Sequence, residues 1–225
     1  DFLLLNLGLS QRFVFVVTSL SDRLPLRHSE RVVVLQTSDE GHEIPAYVDD
    51  AFMVFKCYRP FDVIPDNLRV IPLGCNKDVP ALSPKSMTER GLDVFFIGRT
   101  GFRKQFFAST QKAFRDRPNL TTKIEEASGL RLGMSPDAYG RCLVNTKIAL
   151  SPRGVSHETF RTYEAMRAGC VVVTDRQLSS WFTNGWPIIE VDDWLDVGDL
   201  VDGLIDDPVR LTDLSSNTIA WWQKY

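Results

Sequence analysis

The sequence predicts an α/β protein with parallel sheets, organised as two Rossmann-like domains of which the N-terminal one is small or truncated. Residues 31–36 and 170–174 are valine-rich apolar runs, which are typical of parallel strands covered by helices on both faces. Residues 147–175 read as strand, loop, helix and strand in succession. Residues 76–91 are polar, contain two prolines and show no periodicity, and they separate two such regions.

A chain of 225 residues is long enough for two small domains. The first is predicted over 1–80, a linker over 81–91 and the second domain over 92–225. The hydrophobic content of 44% and the charged content of 24% are those of an ordinary globular protein. The net charge of -3 provides no basic field, so nucleic acid is not expected as a partner. The four cysteines lack metal-site spacing and are expected to be free thiols, which favours a reducing compartment.

The N-terminal region is predicted to contain four strands, at 12–20, 31–36, 52–58 and 68–72. The second strand ends in a dense polar turn, and open α/β sheets bind ligands at the carboxyl ends of their strands. Asp39, Glu40 and His42 in this turn are therefore candidates for handling an acceptor or acting as a general base. The alternative is a solvated loop that caps the following short helix.

The C-terminal region alternates strands and helices, as a doubly wound sheet requires. Strands are predicted at 93–97, 121–125, 148–150, 170–174 and 187–191. Helices are predicted at 102–115, from Ser135-Pro136 to 145, after Ser156 or Thr159, at 199–205, and from Asp207-Pro208 to 222. Ser156 is the first choice for the cap of the third helix and Thr159 the second. Gly169 is expected to end that helix in the left-handed conformation.

The loop at 151–154 is the leading candidate for ligand binding. Arg153 and the flexible Gly154 precede a helix start, where unpaired N–H groups and a guanidinium suit a phosphate or diphosphate. The structural alternative is that Arg153 pairs only with Glu158.

A second loop at 98–101 offers another wall for the same site. Gly98 and Gly101 allow the backbone to approach a ligand, and Arg99 adds positive charge. Arg103 and Lys104 lie in the first turn of the following helix, where positive charge is unfavourable because of the helix dipole. Their presence there indicates that they bind an anion. The alternative is that the glycines serve a tight turn and the cations are solvated.

Residues 151–175 read SPRGVSHETFRTYEAMRAGCVVVTD, which resembles the C-terminal signature of exostosin-like glycosyltransferases. The shared features are a PRG turn, an acidic residue before TFR, then EA, a small residue, Gly-Cys and a hydrophobic strand. The Asp-Glu pair at 39–40 and the IPLG turn at 71–74 extend the resemblance. It implies the GT-B architecture, in which two Rossmann-like domains face each other across a cleft and the C-terminal one holds most of the nucleotide-sugar donor.

The resemblance also implies roles for single residues. Arg153, Arg99 and the amides after Gly154 would neutralise a leaving diphosphate without a metal or another cofactor. Glu164 would contact the ribose, and Glu158 stands near the donor sugar, where the family commonly has Asp. The predicted catalytic residues are Asp39, Glu40 and Glu158. The predicted donor-binding residues are Gly98, Arg99, Arg153, Gly154, His157, Thr159, Arg161 and Glu164.

Two of these donor-binding residues have open assignments. Arg161 either reaches a phosphate or braces Glu164. His157 either bonds a sugar hydroxyl or is exposed. Trp181 and Phe182 either stack on a base or sugar ring or anchor their own loop, and the second role is favoured.

The expected activity is metal-independent transfer of a sugar from a nucleotide-sugar donor, of the UDP type, to a glycan or another hydroxyl acceptor, as in polysaccharide biosynthesis. One alternative is a transferase for a CMP-activated, Kdo-like sugar acid, whose single phosphate needs fewer basic contacts. Another is a non-catalytic GT-B scaffold or carbohydrate-binding partner. The apolar run at 2–9 is too short to span a bilayer, so any membrane association is expected through parts outside this chain. The compartment is left open between the cytoplasm and, for a membrane-anchored eukaryotic parent, the Golgi lumen.

Overall fold

The computed structural model describes residues 13–19, 22, 24, 29–37, 40–127 and 134–224. Its contacts divide the chain into two units, Asp1–Leu73 and Gly74–Tyr225. Each unit contains its own parallel sheet, which confirms the predicted fold class.

The first unit is built on four parallel strands in the order β1-β2-β3-β4. Their bounds are β1 (Val14–Thr18), β2 (Val32–Gln36), β3 (Met53–Lys56) and β4 (Leu68–Val70). All four predicted strands are confirmed over these ranges. β2 is the most deeply buried of the four, because its three successive valines are covered on both faces of the sheet.

The second unit is built on five parallel strands in the order β6-β5-β7-β8-β9. Their bounds are β5 (Leu92–Gly98), β6 (Thr122–Glu126), β7 (Thr146–Ser151), β8 (Val171–Asp175) and β9 (Ile188–Val191). The α-helices described in this unit are α1 (Lys104–Phe114), α2 (Pro136–Val144), α3 (Phe160–Arg167), α4 (Val197–Ile205) and α5 (Pro208–Lys224). Every strand and helix predicted for this region is present, with ends shifted by one or two residues except at the start of α3.

The core of the second unit lies between the central strands and the helices that cover them. Phe96 of β5 and Ile148 of β7 are buried in one cluster with Val171 and Val173 of β8. Phe106 of α1 packs edge-on against Phe96, with ring centroids 4.7 Å apart. This packing holds the carboxyl ends of β5 and β7 rigidly beside each other.

Two of the predicted helix caps are confirmed and one prediction was wrong. The Ser135 hydroxyl accepts from the N–H of Ala138 at 3.3 Å, as predicted for α2. Gly169 ends α3 with φ +69°, also as predicted. The preference for Ser156 as the cap of α3 was wrong, because Ser156 belongs to the preceding turn, where its hydroxyl accepts from the N–H of Glu158. Thr159 is the cap residue.

Residues 81–91, predicted as a linker, lie within the second unit. Met87–Glu89 form a short 3-10 turn. Arg90 is 3% exposed, and its guanidinium donates to the carbonyl oxygens of Thr146 at 2.6 Å and Ala168 at 3.0 Å. All four cysteines are free thiols. Within the described ranges, none of the helices has the length and apolar character that crossing a membrane requires.

Candidate functional site

The strand order of the second unit creates a topological switch point. The chain leaves β5 to add β6 on one side, then continues with β7, β8 and β9 on the other side. Open parallel sheets bind their ligands at such a point, in the crevice outside the carboxyl ends of the two diverging strands. The loops that follow β5 and β7, residues 98–103 and 152–159, both start there. These switch-point loops contain most of the predicted donor-binding residues.

Arg103 links the two switch-point loops. Its Nε donates to the carbonyl oxygen of Pro152 at 3.3 Å. Its Nη2 lies 3.0 Å from the position that a Cβ on Gly154 would occupy. Glycine at position 154 therefore leaves the space that the Arg103 guanidinium uses. Arg103 is the last residue of the 3-10 turn Gly101–Arg103 and so lies just before α1, not within its first turn as predicted.

Arg161 reaches the end of β5 from the first turn of α3. Its Nε donates to the carbonyl oxygen of Ile97 at 3.0 Å, and its Nη2 lies 3.4 Å from the Cβ position of Gly98. The guanidinium carbons of Arg161 and Arg103 lie 5.7 and 6.0 Å from the centroid of the Phe96 ring. Two guanidinium groups thus lie near one aromatic ring at the switch point, and two positive charges placed close together attract anions.

Arg153 and Arg99 are exposed on the same loops. The Arg153 backbone N–H is held by the Asp175 carboxylate at 2.6 Å. The neighbouring Glu158 carboxylate accepts a hydrogen bond from the Tyr163 hydroxyl, so Glu158 is bonded to the helix that follows it.

Buried hydroxyl groups fasten the loop after β7 to α3. The Ser151 hydroxyl is within 3.0 Å of the Thr159 hydroxyl and 2.9 Å of the Thr162 hydroxyl. Thr159, a predicted donor-binding residue, is 8% exposed, and its hydroxyl belongs to this internal cluster. The cluster fixes the loop against the sheet because all three hydroxyls have a partner.

The loop after β8 braces the loop after β7. His157 Nδ1 is hydrogen-bonded to the Arg176 carbonyl oxygen at 2.9 Å. The Gln177 side-chain amide donates to the His157 carbonyl oxygen at 3.1 Å. Asp175 and Gln177 were not among the predicted site residues. The sequence did contain a signal for Asp175, because it lies at the carboxyl end of a strand. The same criterion had selected Asp39 as a candidate.

Glu164 is buried, with 5% of its surface exposed, one turn beyond Arg161 on α3. Burial raises the pKa of its carboxyl, while the N–H of Asn76 at 3.3 Å, the charge of Arg161 and the Tyr139 hydroxyl act to lower that pKa. Burial, with the neighbouring Glu164 carboxylate, also raises the pKa of Tyr139 well above its ordinary value. Glu164 is therefore held by Asn76 and Tyr139, which lie on two other segments of the second unit, and by Arg161 on its own helix.

A small pocket adjoins Glu164. It is lined by Val79, Pro80, Leu82, Gly140, Leu143, Val144, Glu164, Arg167 and Ala168. Arg153 is outside this lining. The connection between Glu164 and the switch-point loops is made by Arg161, which contacts the end of β5 and acts electrostatically on the Glu164 carboxyl.

In the first unit, the predicted acceptor-side residues follow β2. Asp39 lies outside the described residues, and Glu40 is exposed in a turn. His42 is buried with φ +61°, and its Nδ1 is 2.7 Å from the Arg59 carbonyl oxygen. A non-glycine residue in this conformation is held there by its surroundings, here the Arg59 contact and the stacked Phe61 ring.

Trp181 and Phe182, in the loop after β8, differ in burial. Phe182 is 3% exposed and packs near Trp186, so it anchors its loop as predicted. Trp181 is 61% exposed. Across the ranges the structure describes, no group of three or more His, Cys, Asp or Glu side chains is arranged to hold a metal ion.

No protein-family model and no curated protein matches this sequence. Solved structures of GT-B glycosyltransferases do share its fold. The S. aureus TarM G117R mutant in complex with fondaparinux, alpha-GlcNAc-glycerol and UDP is 12% identical, with a TM-score of 0.53 over 88% of this chain and 53% of that one. The GtfA/B complex is 14% identical, with a TM-score of 0.55 over 88% of this chain and 50% of that one.

An alpha-glucosyltransferase in complex with UDP-glucose and DNA containing an abasic site is 12% identical, with a TM-score of 0.53 over 85% of this chain and 68% of that one. This chain thus spans about half the length of TarM and of the GtfA/B chain. At these identities the likeness establishes the fold, which is GT-B-like with parallel sheets in both units.

Proposed function

We propose that this chain is a glycosyltransferase that binds a nucleotide-sugar donor at the switch-point loops and transfers the sugar to a hydroxyl acceptor. The observation that carries this proposal is the convergence of Arg103 and Arg161 on glycine-containing loops at the switch point. Glycosyl transfer expels a nucleotide, whose developing negative charge needs fixed positive groups. Guanidinium groups and backbone N–H donors are the groups that bind phosphate oxygens best.

A donor with a diphosphate fits this arrangement better than one with a single phosphate. Four arginines, at positions 99, 103, 153 and 161, belong to the switch-point loops or the first turn of α3. UDP and UDP-glucose are bound by the structures of similar fold, which supports a UDP-sugar over the CMP-activated alternative. In this proposal the arginines supply the charge that a metal ion supplies in other transferases.

The remaining roles follow from the positions of the carboxylates. Glu164 would accept hydrogen bonds from the ribose, and its burial makes such bonds strong. Glu158, oriented by Tyr163, would face the donor sugar. Asp39 or Glu40 would act on the acceptor hydroxyl as general base. Membership of the exostosin-like family, and a glycan acceptor with it, rests on residues 151–175.

Ligand binding tests the proposal directly. UDP at saturating concentration should raise the melting temperature of the protein, because a ligand that binds only the folded state stabilises it by mass action. CMP should stabilise less. Arg103→Ala and Arg161→Ala should each weaken UDP binding about tenfold or more. Arg210→Ala, an exposed arginine at the start of α5, is the matched control and should bind UDP normally.

Catalysis needs a separate assay. Release of UDP from a panel of UDP-sugars, with and without EDTA, would measure turnover and its independence of metal. A protein that is stabilised by neither UDP nor any UDP-sugar would overturn the proposal. Binding of UDP without any turnover would favour the non-catalytic scaffold. A biological role that survives both Glu158→Ala and Arg153→Ala would favour it too.

A further inference from the structure

Thr100 carries a buried hydroxyl that lacks a hydrogen-bond partner among the residues the structure describes. A hydroxyl that has lost water and gained no bond is unfavourable in the folded protein, and native proteins retain few of them. The hydroxyls around the facing loop differ, because the Ser151 hydroxyl is hydrogen-bonded to those of Thr159 and Thr162, so that each of the three has a partner. The unpartnered hydroxyl therefore calls for an explanation in terms of a ligand.

Thr100 occupies the centre of the first switch-point loop. Its carbonyl oxygen accepts a hydrogen bond from the N–H of Arg103, which fixes Thr100 relative to that arginine. On one side, Gly98 is tightly packed, since a Cβ there would lie 2.6 Å from the Phe96 ring. On the other side, a Cβ at Gly101 would meet no atom within 4 Å. The loop is thus closely packed at Gly98 and has free space at Gly101.

We propose that the Thr100 hydroxyl donates a hydrogen bond to a phosphate oxygen of the nucleotide-sugar donor. This inference rests on the proposed function and adds a neutral donor to the arginines already assigned. A phosphate is the chemistry that fits, because Thr100 lies between Arg99 and Arg103 in the chain and both loops present positive charge. A hydrogen bond to a charged oxygen is also stronger than one to a neutral group.

The isosteric variant Thr100→Val separates this role from a structural one. Since the hydroxyl is unpartnered in the free protein, its removal should leave the melting temperature unchanged or raise it. The Kd for UDP should rise about tenfold, the loss expected for one hydrogen bond to a charged group. Thr100→Ser, which keeps the hydroxyl, should bind UDP close to normally. Uridine, which has no phosphate, should bind wild type and Thr100→Val equally.

Thr110→Val is the matched control. The Thr110 hydroxyl is buried in α1 and already donates to the Phe106 carbonyl oxygen at 2.9 Å. This variant should show no gain in melting temperature and an unchanged Kd for UDP.

The outcomes distinguish this inference from the proposed function. If wild type does not bind UDP, the proposed function fails and this inference fails with it. If wild type binds UDP and Thr100→Val binds it equally well, only this inference is overturned. A marked fall in the melting temperature of Thr100→Val would also overturn it, because the hydroxyl would then have a partner within the fold.

Discussion

The carboxylate of Asp175 holds the backbone of Arg153. One oxygen accepts the Arg153 N–H at 2.6 Å, and the other accepts the Trp194 indole N–H at 2.9 Å. Asp175 ends β8, whereas Arg153 lies in the loop after the neighbouring strand β7. The Asp175 carboxylate therefore connects two loops at the carboxyl ends of the strands, and it positions the backbone of Arg153.

Asp175→Asn should weaken donor binding through this contact. The amide keeps one acceptor oxygen but loses the charge and the second acceptor, so the loop after β7 should be less well ordered. We expect a loss of about 1–2 kcal/mol in the free energy of unfolding and a several-fold rise in the Kd for UDP. Urea denaturation and calorimetric titration measure the two effects.

Asp192→Asn is the control for the Asp175 variant. Asp192 pairs with Arg176 at 3.0 Å, but both side chains are highly exposed, and such pairs contribute little. Both measurements should match wild type. Equal effects of the two substitutions would mean that Asp175 does not position the loop.

The pH dependence of stability should report the burial of Glu164. Burial raises the pKa of this carboxyl above its ordinary value of 4.5, so between pH 4.5 and the raised pKa the folded state binds more protons than the unfolded state. The contribution of Glu164 to the free energy of unfolding must then fall as the pH rises through that window. Urea denaturation from pH 4.5 to 7 measures the free energy of unfolding of wild type and of Glu164→Gln. As the pH rises, the stability of wild type should fall relative to that of the variant.

A difference between the two proteins that is constant over this pH range would contradict the raised pKa. Glu125→Gln is a suitable control, because Glu125 is exposed at the end of β6. This variant should follow the wild-type pH profile.

Tyr163→Phe should separate catalysis from donor binding. The Tyr163 hydroxyl donates to Glu158, and the ring is buried against Trp186 with centroids 5.5 Å apart. Removing the hydroxyl leaves that packing but releases the Glu158 carboxylate. We expect kcat with the UDP-sugar substrate to fall about tenfold while the Kd for UDP stays within about twofold. A parallel loss of both quantities would place Tyr163 in the donor-binding framework instead.

Gly154→Ala should disturb the site without unfolding the protein. The added methyl would lie 3.0 Å from Arg103 Nη2, which is the end of a flexible side chain and can move. We expect a change in the free energy of unfolding of less than about 1 kcal/mol and UDP binding that is several-fold weaker. Gly203→Ala, in α4 and outside the switch-point loops, also places its methyl where no atom lies within 4 Å, and this control should leave UDP binding unchanged. Normal UDP binding by Gly154→Ala would remove Arg103 from the phosphate site.

Local patterns in the sequence were enough to predict the sheets and helices. The valines of β8 are buried on both faces, so that strand reads as an unbroken apolar run. Gly169 was also predictable from the local sequence. A helix often ends in a residue with left-handed backbone conformation, and glycine adopts that conformation most easily. The cap of α3 was less predictable. Local preference ranked Ser156 ahead of Thr159, and the turn in which the Gly154 N–H donates to the Ser156 carbonyl oxygen decides for Thr159.

The sequence alone also determined which loops lie at the carboxyl ends of the strands, because alternating strands and helices place those ends at one edge of a parallel sheet. Only the tertiary structure decided which side chains meet there. Arg103 contacts a residue 49 positions away, and Asp175 contacts one 22 positions away. The first contact depends on β5 pairing with β7, and the second depends on β7 pairing with β8. The order of strands in a sheet leaves no periodic pattern in the local sequence. The burial of Glu164 and the unpartnered Thr100 hydroxyl are likewise products of packing between distant segments.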